Sequence, residues 1–190
     1  MMQEYLISAN DAKERLISGN REYIRNDRYT SDTSAAHLKS FSENGQHPYA
    51  IIITCSDSRV VPELIFSAGI GDLFVIRVAG NVIDSHQLGS IEYAADHLGT
   101  GLIVVLGHDH CGAVDAAMNH EPDGYIKYIT DEISAAIGGE RDEFKACRLN
   151  VKHSCEMIER SLTIQNDEKE HGLKVLPAIY HLDSGEVEFI

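Results

Sequence analysis

"YAIIITCSDSRV", residues 49–60, decides the fold: a β-branched apolar run stops abruptly at a cluster of cysteine, serines, aspartate and arginine. A short run with almost no polar break suits a strand buried on both faces, as in a parallel sheet. "LFVIRV" (73–78) and "LIVVLG" (102–107) repeat the pattern. Between these runs lie stretches suited to crossover helices. "PELIFSAG" (62–69) opens on Pro62, where a first helical turn tolerates proline. "QLGSIEYAADHLG" (87–99) sets Leu88, Ile91, Ala95 and Leu98 at helical spacing and stops at Gly99. Alternation of strand and helix predicts right-handed βαβ units.

Outward from this centre, residues 9–26 read as a helix or helix pair broken at Gly19, with Ala12, Leu16, Tyr23 and Ile24 as its apolar stripe. Residues 27–47 are polar and weakly periodic, suited to short helical turns, and 124–165 are mostly helical with a break at Gly138–Gly139. "NDEKEHG" (166–172) reads as a solvated connection, and "KVLPAIYHL" followed by "DSG" and "EVEFI" as a hairpin turning at Gly185. The expected fold class is α/β: a mostly parallel central β-sheet with an antiparallel edge, flanked by helices, with an N-terminal helical arm. One domain over 1–190 is expected, with the arm at 1–47 and the α/β core at 48–190.

Sixteen Lys and Arg against thirty Asp and Glu give a formal charge of −14, which argues against nucleic acid or an anionic membrane as partner. No apolar run is long enough to span a bilayer, and the N-terminus lacks the pattern of a signal peptide, so a cytoplasmic protein is expected. In that reducing setting Cys55, Cys111, Cys147 and Cys155 are expected to be metal-binding, catalytic or inert rather than disulfide-bonded.

Ligands of open α/β sheets sit at the carboxyl ends of strands. Two such ends carry reactive side chains, "CSDSR" after the first run and "GHDHCGA" (107–113) after the third. Cys55 and Arg59 stand too close in sequence for a loop that wraps a phosphate in its amides, and "CSDS" lacks the second thiol of a dithiol redox pair. A thiol nucleophile served by His108 remains open as a minor reading. A metal fits better. Cys55, His108 and Cys111 form a Cys/His/Cys donor set suited to Zn²⁺, and three protein ligands leave the open position of a catalytic site. Asp57 and Arg59, in the same loop, can form a two-pronged ion pair that orients the carboxylate beside that open position. Asp109 and His110, between two candidate ligands, are expected to point elsewhere, and Cys147 and Cys155 to be free thiols.

At this point the residues match a known pattern. "LISGNREY", "CSDSRV", "GDLFVIRVAGNV" and "SIEYAADHLGTGLIVVLGHDHCGAV" resemble the β-class carbonic anhydrases over nearly the whole chain, with His108 lying 53 residues after Cys55. The resemblance implies reversible hydration of carbon dioxide to bicarbonate and a proton. It implies one Zn²⁺ per chain on Cys55, His108 and Cys111, with Asp57 and Arg59 as catalytic dyad. In the plant-like subtype a glutamine, a phenylalanine and a tyrosine line the substrate pocket, which here implies Gln46, Phe74 and Tyr93, with the Gly112 amide also available to substrate. In the family both subunits of a dimer contribute these residues, so a homodimer, or a tetramer of paired dimers, is expected. The chain departs from common family patterns at Val78, which follows Arg77, and at Ala113, which follows Gly112. Ile52 stands where the bicarbonate-inhibited subtype has tryptophan. Two other functions share the ligands: hydrolysis of carbon disulfide or carbonyl sulfide, and zinc binding without catalysis.

Overall fold

The computed structural model describes residues 7–26 and 34–190. Strands β1 (Ala50–Thr54), β2 (Leu73–Arg77), β3 (Leu102–His108), β4 (Lys174–Tyr180) and β5 (Val187–Phe189) form one sheet in the order β2-β1-β3-β4-β5. The first four are parallel, and β5 turns back antiparallel on β4. The three apolar runs are thus strands, and the terminal hairpin supplies the antiparallel edge. β1 and β3 are buried along their whole length, as expected. β2 is not: it is half-buried and ends on an exposed Arg77, because only β1 flanks it among the described residues.

Successive strand residues face opposite sides of a sheet, and two separate cores result. Ile51, Ile53, Ile103 and Val105 pack with helices on one face. These helices are α4 (Ser85–Glu92), α5 (Gly112–Asn119), α6 (Ile126–Ile137), α7 (Glu143–Glu159) and α8 (Leu162–His171). Ile52, Leu102 and Val104 pack on the other face with α1 (Ala9–Ile24) and the segment around α3 (Pro62–Ile65). The remaining helix, α2 (Ala35–Asn44), has no buried residue. The expected helical turns at 27–33 lie outside the described residues.

Two local expectations fail for physical reasons. α1 runs unbroken through Gly19, where a Cβ would sit 1.9 Å from the Phe66 carbonyl oxygen. The glycine therefore allows close docking rather than a break. The adjacent Asn20 amide donates to the carbonyls of Ile65 (3.1 Å) and Gly185 (2.9 Å), tying α1 to the hairpin. The polar run at 166–172 is mostly the end of α8 rather than a connection. Ser161 caps its start, Ile164 buries its inner face and Gly172 (φ 74°) stops it.

Strand order places the site. The chain leaves β1 toward β2 on one side and returns to β3 on the other, so the carboxyl ends of β1 and β3 border a topological switch point. Thr54 Oγ1 donates to the Leu106 carbonyl at 2.7 Å and locks the two ends together.

Candidate metal centre

Cys55 is the first residue beyond β1, His108 is the last of β3, and Cys111 is the N-cap of α5. Parallel pairing of β1 with β3 carries their side chains to one point: the three ligating atoms all lie within 4.8 Å of one another, and all three residues are buried. His108 Nδ1 lies 2.7 Å from the Asp109 carbonyl, so in the neutral ring it donates there and leaves the Nε2 lone pair free. That Nε2 is buried and makes no hydrogen bond. A buried orphan acceptor beside two sulfurs is costly unless an electron-pair acceptor sits among them. Thiolate, thiolate and imidazole suit a borderline-soft divalent ion, and zinc fits the donor set.

Without a cation, the three groups share protons among themselves. A hydrogen bond from the Cys111 thiol, against the opposing effect of burial, holds Cys55 well below the usual thiol value. Cys111 is pushed up as that donor and by burial. Burial opposes the charged form of His108, but the neighbouring Cys55 sulfur raises its proton affinity overall. A metal ion binding here would displace the protons that Cys111 and His108 hold, so its affinity would rise with pH.

Asp57 and Arg59 stand at its edge. Arg59 Nε donates to Asp57 Oδ1 (2.9 Å) and Nη2 to Oδ2 (2.7 Å), and the Arg59 backbone N–H adds a third bond to Oδ1 (2.9 Å). The guanidinium holds the Asp57 carboxyl well below the usual carboxylate range. Asp57 Oδ2 lies 4.0 Å from His108 Nε2, so the carboxylate faces the ligand cluster without occupying it. Arg59 Nη2 also donates to the His110 carbonyl (3.2 Å) and joins the two ligand loops. Arg77 was not singled out from sequence, yet it donates to the Cys55 carbonyl (3.2 Å) and the Asp57 carbonyl (2.7 Å). A lone cation ending an apolar strand was its only signal.

The other candidates are dispersed. Phe74 and Tyr93 approach with ring centroids 6.4 Å apart, and Tyr93 stacks on His97. Gln46 and Tyr93 line an open groove of about 670 Å³ with Phe41, His47, Ile70 and Leu98. None of Cys55, Asp57, His108 or Cys111 lines that groove. Gly112 opens α5 beside Cys111. Asp109 turns its carboxylate to the Leu182 N–H (3.0 Å) and His181 (3.2 Å), and His110 faces Glu143, so neither joins the cluster. Cys147 and Cys155 are free and buried, and burial pushes both up to about 12.

Comparison with known proteins agrees with this geometry. A family model described as carbonic anhydrase matches residues 50–187. Carbonic anhydrase 2 of Mycobacterium tuberculosis is 37% identical over 185 residues, covering 92% of this chain and 89% of that one. The β-carbonic anhydrase CafA of Aspergillus fumigatus superposes with a TM-score of 0.74 at 26% identity, covering 94% of this chain and 90% of that one. The fold also matches a tetrameric β-carbonic anhydrase of Sordaria macrospora, with a TM-score of 0.76 at 24% identity and coverage of 95% and 97%. Sheet order, the converging Cys/His/Cys cluster and these relatives together place the chain in the β-class carbonic anhydrases, enzymes that interconvert carbon dioxide and bicarbonate.

Proposed function

We propose that Cys55, His108 and Cys111 hold one zinc ion per chain, and that Asp57, oriented by Arg59, directs the attacking water during carbon dioxide hydration. The observation that carries this is the buried, unpartnered His108 Nε2 set among two sulfurs with the Asp57 carboxylate 4.0 Å away. Zinc held by these residues would supply the Lewis acidity that makes water nucleophilic near neutral pH, tempered by two thiolates so that activity would favour alkaline conditions. Asp57 is held ionised, so near neutrality it works as a fixed hydrogen-bond acceptor. It takes the O–H of the attacking water at Oδ2 and aims a lone pair at the substrate carbon. Arg59 keeps Asp57 from swinging away, and Arg77 holds the carbonyls on either side of Ser56.

Phe74 and Tyr93 offer an apolar wall to an apolar gas, while the Gln46 side chain and Gly112 N–H donate to substrate oxygen. Within one chain the Gln46–Tyr93 groove is separate from the metal cluster. A homodimer in which one copy's groove faces the partner's metal centre reconciles the two. The half-buried edge strand β2 suits such an interface, and the tetrameric Sordaria relative supports pairing of dimers. No helix among the described residues is long and apolar enough to cross a membrane, and the free cysteines suit the cytoplasm. Stopped-flow hydration by zinc-loaded wild type and Asp57→Asn tests the assignment. Wild type is expected to be fast and the variant slower by about 100-fold, with zinc content unchanged. Equal rates would refute the role given to Asp57.

A further inference from the structure

One face of α7 is buried at Ala146, Cys147, Asn150, Val151, Ser154, Cys155 and Ile158. Asn150 and Ser154 are the polar exceptions, 1% and 2% exposed. A buried amide or hydroxyl is retained at a cost unless it meets a partner. Ser154 and the Asn150 amide nitrogen do, in the same place, while Asn150 Oδ1 finds none. Asn150 Nδ2 donates to the Gly80 carbonyl at 2.8 Å, and Ser154 Oγ donates to the Asn81 carbonyl at 2.9 Å. These two carbonyls belong to a tight turn, Ala79–Asn81, whose residues Gly80 (φ 67°) and Asn81 (φ 48°) are both left-handed.

Gly80 takes a left-handed conformation freely, but Asn81 does so at a cost that the surroundings must offset. Here α7 grips the carbonyl side of the turn. On another side a Cβ at Gly80 would meet Ile133 Cδ1 at 2.7 Å and the Ala113 methyl at 3.1 Å. The result of this confinement is one directed group: the Gly80 N–H points at Cys55 Sγ, 3.3 Å away.

We propose that Asn150 is a positioning residue for the metal centre: by pinning the Gly80 carbonyl it holds the Gly80 N–H on the Cys55 sulfur, with Ser154 as its helper. Such a hydrogen bond withdraws charge from the thiolate and fixes its lone pairs, the outer-sphere control that tunes a metal ligand. The proposal rests on the assignment of Cys55 as a ligand. Cobalt(II) substitution tests both separately. Wild type loaded with cobalt is expected to show thiolate-to-metal charge transfer in the near ultraviolet. Asn150→Leu removes the donor at similar size and is expected to shift that band to longer wavelength and weaken zinc about tenfold in chelator competition. Ser154→Ala is expected to move both readouts the same way by less, and it decides the matter if Asn150→Leu does not fold. Variants that melt at lower temperature yet keep the wild-type band and zinc affinity would reduce Asn150 to packing and overturn the proposal. Absence of charge transfer in wild type would contradict the ligand assignment itself.

Discussion

Gly107 sits in β3 immediately before His108, and a Cβ there would lie 2.3 Å from Val151 Cγ2 of α7 and 3.3 Å from Ile179 Cδ1. Carbon atoms rest at about 3.5–4.0 Å, so Gly107→Ala forces an overlap of more than 1 Å between strand and helix. Overpacking of this kind costs about 1–3 kcal/mol. For a domain of this size that lowers Tm by about 2–4 °C per kcal/mol. Val151→Ala alone removes buried methyl groups and costs about 2–3 kcal/mol. The double variant is the decisive one, because Val151→Ala deletes the atom that Gly107→Ala strikes. The pair should be less destabilised than the sum of the singles by about 1–3 kcal/mol. Thermal melts of all four proteins at one fixed free zinc concentration measure this. Strictly additive losses would show that β3 and α7 do not meet as described.

Arg59→Lys is expected to lower hydration activity about 10–100-fold while zinc content stays constant, because an ammonium cannot hold both Asp57 oxygens in one plane. Wild-type turnover in a stopped-flow assay would count against the two-pronged pair. Asp167 carries a buried, unpartnered Oδ2, and burial, reinforced by Asp96 and Glu170, raises its carboxyl above the usual value. The fold therefore binds this proton more tightly than the unfolded chain does, and stability falls as pH rises from about 3.9 through the raised value. Asp167→Asn, neutral throughout, should flatten that decline and raise Tm at neutral pH; an unchanged Tm–pH curve would refute it.

Much of the architecture was legible because periodicity reports burial. The runs at 49–54 and 102–107 are apolar on both faces because helices cover both faces, and the crossover pattern follows from the spacing between them. Cys55, Asp57 and Arg59 share one loop, and His108 and Cys111 one turn, so local sequence carries most of the candidate site. What escaped was set by tertiary contact. Gly19 read as a helix break, since nothing local announces the Phe66 carbonyl against it. The charged run at 166–172 read as loop, since a surface helix with few buried positions has little periodic signal. Arg77 and Asn150 reach the Cys55 region from β2 and α7, far along the chain, and no spacing rule links them to a motif. At the Ala113 departure the methyl group lies close to Gly80, where a Cβ would approach it to 3.1 Å.

The proposed mechanism depends on one zinc ion held among Cys55, His108 and Cys111. Anomalous scattering across the zinc edge, from crystals grown at alkaline pH, tests it most directly. A single peak at about 2.3 Å from both sulfurs and about 2.0–2.1 Å from His108 Nε2, with no fourth protein ligand, is the predicted result. No peak at that point, or an ion enclosed by four protein ligands, would contradict it.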